Sequence, residues 1–309
     1  MHDARAEPDV KRGLTDAEER GNHRMNLNRI QEPGEARQAV RDWQADGLTV
    51  GFVPTMGGLH EGHFSLIRAA DDECDRTVIS IFVNPPQFGE DEDLDEYPRM
   101  VDRDCRAAAE EGADMAFVPS EDEMYPQGYA TYVVQERLTE RLCGAHRPGH
   151  FRGVLTVVTK LLNIIPADRA YFGRKDLQQS VVIRRMVRDL NLPVNIRVMP
   201  TVREDDGLAM SCRNEYLDPD QREQATCLYR ALRRACSEFR EGETDPDELI
   251  GSMQEVLDGA PQARPEYVEI VDPETLEPVE KAAEDSVAAL AVHLGEARLI
   301  DNMELGNPE

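Results

Sequence analysis

Two hydrophobic periods alternate along the chain. Residues 1–24 carry charged and polar side chains with no apolar period able to form a buried face, which predicts a disordered extension. Met25 stands directly before organised sequence and reads as an alternative start. Over residues 35–45, Val40 and Trp43 mark the inner side of an amphipathic helix. Residues 48–53 form a buried strand stopped by Pro54. A helix over about 62–73, a strand over 77–83 and a loop from Asn84 to Gly89 come next. They precede a helix over 95–111, stopped by Gly112, and a short strand over 115–118. Apolar residues at helical spacing fill 151–165 and end at Pro166, followed by a strand over 169–172, a helix over 177–190 and a strand over 194–199.

Strands separated by helices of this length need crossover connections, so the pattern predicts an α/β fold around a mostly parallel sheet. Ligands in such sheets bind beyond the carboxyl ends of the strands, which directs attention to the loops after Val53, Val83, Phe172 and Met199. The pattern changes near residue 202: helices over 221–239 and 247–257 precede short strands at 267–271, 287–292 and 297–300. This predicts a nucleotide-binding domain over 25–201 and a smaller, lid-like α+β domain over 202–309.

Charge narrows the function classes. The 309 residues include 61 Asp and Glu against 35 Lys and Arg, a formal net charge of -26. Such a surface repels nucleic acid and anionic membrane. No apolar stretch is long enough to span a bilayer, and the N-terminus lacks a signal peptide's apolar segment. A soluble, cytoplasmic protein is expected. Lysines are confined to Lys11, Lys160, Lys175 and Lys281. A GC-rich genome explains the lysine deficit but not the acidic excess, which suits a salt-rich, halophilic cytoplasm. The six cysteines show no C-x-x-C spacing and form no disulfide or zinc framework.

Three segments carry candidate chemistry. The first strand leads into Pro54-Thr-Met-Gly-Gly-Leu-His-Glu-Gly-His63, where His60 and His63 open a helix. Backbone N–H groups and the positive dipole end suit phosphate there, and imidazole donors add to it. The second histidine comes one residue too early for a zinc-protease helix, and no G-K-[ST] follows to make a P-loop. A second loop, Gly173-Arg-Lys-Asp176, places one of the few lysines beside glycine at a strand end, an arrangement that suits an anion. The third, Asp206–Asn214, sets Ser211 and Arg213 in a loop suited to phosphate.

These blocks, with Phe82–Gly89, His150–Gly153 and Tyr171–Asp176, resemble the pantoate–β-alanine ligase family in order and spacing, from about Val50 to the C-terminal strands. The resemblance implies a Rossmann-like fold shared with the H-x-G-H nucleotidyltransferases. It implies condensation of pantoate with β-alanine through a pantoyl adenylate, with ATP as substrate, Mg2+ as cofactor and a homodimer as the assembly. By the same resemblance, Met56, Gly57, Gly58, Leu59, His60, Glu61, Gly62 and His63 form one ATP segment and Gly173, Arg174, Lys175 and Asp176 a second. Val202, Met210, Ser211, Cys212 and Arg213 supply further ATP contacts, while Gln87 and Gln179 hold pantoate. The resemblance likewise implies that His60, His63 and Lys175 carry the catalysis. Arg174 stands where the family usually has Glu, either near the triphosphate or pointing outward, and Cys212 stands where it usually has Ser.

Overall fold

The computed structural model describes residues 27–89 and 92–308, so the predicted extension and Met25 lie outside the described residues. Six parallel strands form the larger sheet: β1 (Asn28–Ile30), β2 (Val50–Thr55), β3 (Arg76–Ile81), β4 (Met115–Phe117), β5 (Arg169–Gly173) and β6 (Asn195–Met199). Their spatial order is β1-β4-β3-β2-β5-β6. The chain winds outward from β2 through β3 to β4, then returns to place β5 on the other side of β2. That reversal opens a crevice above the carboxyl ends of β2 and β5.

Both faces of the sheet are covered, which is why its strands read as nearly continuous apolar runs. Val50, Phe52, Val78, Met115, Phe117 and Phe172 face one core, with α1 (Pro33–Ala45), α6 (His150–Ile164) and α7 (Leu177–Asp189). Their neighbours Val53, Ile79, Ile81, Ala116 and Tyr171 face the other, with α2 (Glu61–Glu73) and α3 (Val101–Glu110). Two short helices, α4 (Glu121–Met124) and α5 (Leu142–His146), lie in the long passage from β4 to α6. At Gly51 an added Cβ would sit 3.1 Å from Ala70 Cβ and 3.2 Å from a Tyr171 ring carbon, so glycine lets α2 approach the strand.

The smaller domain has an antiparallel sheet of β7 (Ala263–Val271), β8 (Val287–Leu294) and β9 (Ala297–Glu304). Its core includes Leu228, Leu232, Leu249 and Met253, from α9 (Cys227–Glu241) and α10 (Pro246–Asp258).

Several predicted boundaries move. Pro54 lies inside β2, where it pairs with β3, because the ladder to β5 covers only Gly51 and Phe52 and the missing N–H goes unused. The helix expected over 95–111 starts only at Val101: Pro98 disfavours helical backbone before it, and Tyr97 is buried instead. Its predicted stop holds, with Gly112 at φ +110° just past the end. The single helix expected over 221–239 is two, α8 (Pro219–Ala225) and α9, broken at Thr226. The C-terminal strands run longer than predicted because their polar ends stay in the ladder, as with Arg264 opposite His293.

Candidate active site

A cleft of about 240 Å³ opens at the sheet reversal, lined by residues that follow β2, β3, β5 and β6, all four loops singled out from the pattern. Met56, His60, Gly62, His63, Gln87, Gly173, Lys175, Asp176, Gln179, Val202, Ser211, Cys212 and Arg213 converge on it. Gly57, Gly58, Leu59, Glu61, Arg174 and Met210 are not among the lining residues.

The two histidines cap their own helix. His60 is the N-cap of α2 and its Nδ1 accepts the Gly62 N–H at 3.1 Å, while His63 Nδ1 accepts the His60 N–H at 3.4 Å. Their rings lie 4.2 Å apart. An Nδ1 that accepts carries no proton, so each neutral ring keeps its proton on Nε2 and offers an Nε2–H donor. Burial, then Lys175, lowers the pKa of His60 to about 4. Burial, His60 and Lys175 lower that of His63 to about 3. The Gly62 N–H is thus spent on a cap, and the imidazoles take over as the donors facing the cleft.

Behind them, the glycine turn hangs on a residue from α3. Asp104 is 1% exposed and accepts the Gly58 N–H at 2.9 Å and the Leu59 N–H at 3.1 Å. Gly57 and Gly58 have φ of +92° and +63°, and an added Cβ at Gly57 would meet Asp104 Oδ2 at 3.1 Å. Glycine therefore answers both the backbone and the space. Gly57, Gly58 and Leu59 form the support of the loop, and Glu61 turns to an ion pair with Arg68 on the exposed side of α2.

The opposite wall is built from amides. Gln87, in the 3-10 turn Pro85–Gln87, donates from Nε2 to Met56 Sδ at 2.9 Å and accepts from Asn84 Nδ2 at 3.0 Å. Asn84 is in turn held by the Tyr125 hydroxyl at 2.6 Å. His150 Nδ1 donates to the Gln87 carbonyl at 2.7 Å and its Nε2 accepts from Arg147 at 3.0 Å, the reverse tautomer of the other two histidines. Burial, then Arg147, lowers its pKa to about 4. Gln179 reaches the cleft with no hydrogen-bond partner among the described residues, whereas the adjacent Gln178 is spent on the Leu138 and Arg141 carbonyls, both at 2.8 Å.

Three cations and one carboxylate, Asp176, line the cleft among the described residues. Arg147 is paired with Glu92, and Arg213 makes a bidentate contact with Asp93 at 2.8 and 3.0 Å. Lys175 has only Asp176 within ion-pair range among the described residues, at 3.9 Å. Arg174, left open between two orientations by the sequence, points outward to Glu304 at 3.5 Å. Cys212 donates to the Tyr97 hydroxyl at 3.7 Å, so the thiol occupies a side-chain contact.

The sequence reading assigned no role to Asp104, Asn84, Tyr97, Arg147 or His150. His150 had a signal, since it opens the quoted His150–Gly153 block; Asp104 had none, being one acidic residue among 61 Asp and Glu.

A family model described as pantoate-beta-alanine ligase matches residues 28–304. The chain is 54% identical to the pantothenate synthetase of Pelotomaculum thermopropionicum over 272 residues, 88% of this chain and 96% of the relative. It is 56% identical to that of Heliobacterium modesticaldum over 263 residues, 85% of this chain and 94% of the relative. The solved pantothenate synthetase of Thermus thermophilus superposes with a TM-score of 0.86 at 45% identity, over 91% of this chain and all of that one. The Francisella tularensis pantoate-beta-alanine ligase, complexed with beta-gamma ATP and beta-alanine, gives 0.76 at 33% identity, over 91% of this chain and 99% of its own. The chain belongs to the pantoate–β-alanine ligase family.

Proposed function

We propose that this cleft condenses pantoate with β-alanine in two steps driven by ATP. The pantoate carboxylate attacks the α-phosphorus, the bond to pyrophosphate breaks, and a pantoyl adenylate forms. The β-alanine amine then attacks the activated carbonyl, loses a proton, and AMP departs, leaving pantothenate. A free carboxylate is a poor acyl donor, which is the reason for the adenylate. The observation that carries this reading is the meeting of a donor-lined end, His60, His63 and Lys175, with an amide-lined end, Gln87 and Gln179, in one cleft.

Charge grows on the phosphates as pyrophosphate leaves. The Nε2–H donors of His60 and His63, the Lys175 ammonium and the Arg213 guanidinium stabilise it. Arg213 is paired with Asp93, so phosphate takes over a guanidinium already desolvated by its neighbours. Gln179 has free amide groups for pantoate's hydroxyls and carboxylate, and Gln87 trades its contact with Met56 sulfur for a better acceptor. Mg2+ fits as an ion carried by ATP: it favours one or two carboxylates plus phosphates, and Asp176 is the carboxylate in the cleft. It supplies neutralisation of phosphate charge there.

The remaining readings are a chain divided near residue 202, a homodimer and a halophilic cytoplasm. Tyr132 and Val134, 37% and 67% exposed on a segment with no strand partner among the described residues, support a homodimer through the larger domain. Asp104 and Asp301 are the buried carboxylates among the described residues, and the rest lie at or near the surface, as salt adaptation requires. No helix of the described residues is long and apolar enough to cross a membrane.

Pyrophosphate release with pantoate present and β-alanine absent tests the scheme. One equivalent per active site is expected, followed by AMP on adding β-alanine. His63→Ala should slow that burst by about two to three orders of magnitude. Pyrophosphate release that ignores pantoate, or waits for β-alanine, refutes the adenylate route.

A further inference from the structure

Lys175 sits on a loop with little of its own to hold it. Arg174 donates its N–H to the Met199 carbonyl at 2.8 Å, whereas the carbonyls of Arg174 and Lys175 are taken up from the other domain. Asn302 of β9, 4% exposed, donates one amide hydrogen to the Arg174 carbonyl at 3.0 Å and the other to the Lys175 carbonyl at 2.9 Å. Its Oδ1 is buried with no hydrogen-bond partner among the described residues. The side chain thus keeps an uncompensated acceptor in order to present two donors, a poor choice for packing alone.

Asn302 is itself fixed. Its backbone N–H donates to Asp301 Oδ1 at 2.8 Å, and Asp301 takes a bidentate contact from Arg203 at 2.6 and 3.1 Å. Arg203 begins the loop that leads to Ser211 and Arg213, and its guanidinium lies 4.9 Å from the Tyr229 ring of α9. Two adjacent residues of one strand therefore hold two different loops of the cleft.

We propose that Asn302 is a positioning residue for adenylation: through the Arg174 and Lys175 carbonyls, the C-terminal sheet sets where the Lys175 ammonium stands. This rests on the role given above to Lys175. A loop released from its amide clamp misplaces the ammonium by an ångström or so, which costs up to about a hundredfold in rate. A purely structural asparagine would instead change stability and cost as much with Lys175 removed as with it present.

The test is a double-mutant cycle on pantoate-dependent pyrophosphate release, with melting temperature recorded for each variant. Asn302→Asp keeps the shape and removes both donors; Asn302→Leu does so with an apolar side chain, in case a second buried carboxylate prevents folding. Each should lower kcat about ten- to hundredfold with the pantoate KM unchanged. In a Lys175→Ala background the same substitutions should cost less than about twofold, because the group they position is gone. Full rates in both Asn302 variants overturn the proposal, as does an equal loss in the two backgrounds. Wild-type rates in Lys175→Ala alone sink the assignment of Lys175, and the proposal with it, and are told apart by that single variant.

Discussion

Asp104→Asn keeps the shape of a side chain that no cation pairs with among the described residues, and removes the charge that holds the glycine turn. The carboxylate accepts the Gly58 and Leu59 N–H groups at 2.9 and 3.1 Å, from a site 1% exposed. Asparagine retains one oxygen and turns an NH2 towards the other N–H, so one charge-assisted bond weakens and one buried donor is left facing a donor. An unpaired buried group costs about 1–3 kcal/mol, and a bond to a charged group is worth about 1.5–3 kcal/mol. The neutral amide is cheaper to desolvate, which brings the net loss to about 2–4 kcal/mol. For domains of this size that lowers the melting temperature by roughly 4–16 °C. Displacement of the turn carries His60 and His63 with it, and adenylation should fall up to about a hundredfold. Asp102→Asn is the control: that carboxylate is 81% exposed in its pair with Arg29, and its loss should stay within about 0.5 kcal/mol. Thermal melts and burst measurements on both variants decide the matter. If Asp104→Asn melts and reacts like its control, the turn supports itself and the assignment of Asp104 is wrong.

Acid should weaken the fold through its neutral histidines. His60, His63 and His150 have pKa values lowered from 6.5 to about 4, 3 and 4, chiefly by burial. Below 6.5 the unfolded chain binds protons that the fold refuses, so the stabilisation is complete above about pH 6.5 and lost as pH falls towards about 4 for His60 and His150 and about 3 for His63. At about 1.4 kcal/mol per pH unit, each ring contributes a loss of about 2 kcal/mol by pH 5. Urea melts from pH 8 to 5 should show it, and a flat profile argues against neutral buried rings. Gly153→Ala would drive a Cβ against the Pro86 carbonyl oxygen and the Gln87 nitrogen, backbone atoms with no freedom to yield. About 1–3 kcal/mol of destabilisation and weaker pantoate binding with unchanged ATP binding are expected from melts and titration calorimetry. Dimer population, stability and activity should rise from about 0.01 M to 1 M KCl, as the Debye length falls from roughly 30 to 3 Å. A stable, fully active dimer in sedimentation without salt refutes the salt-adapted surface and leaves the ligase chemistry untouched.

Periodicity is a local property, and what depended on it was legible in the chain itself. Val50 and Phe52 alternate with Gly51 and Val53 between two covered faces, so the buried strand showed as an apolar run and the parallel sheet followed from the helices between strands. The His60-Glu-Gly-His63 segment and the Gly173–Asp176 loop were visible as short contiguous patterns at strand ends, whereas Gln87 and Gln179 were marked only by the family resemblance of the blocks around them. The tertiary structure decided which polar groups meet across long stretches of chain. Asp104 lies 46 residues from Gly58, and Asn302 lies 128 from Arg174, so no local spacing marks either. It also separated neighbours that a sequence treats alike: Gln178 is consumed by two backbone carbonyls while Gln179 faces the cleft, and Arg174 turns to Glu304 while Lys175 faces the cleft. A buried polar side chain is defined by its partners, and those partners exist only once the chain has folded.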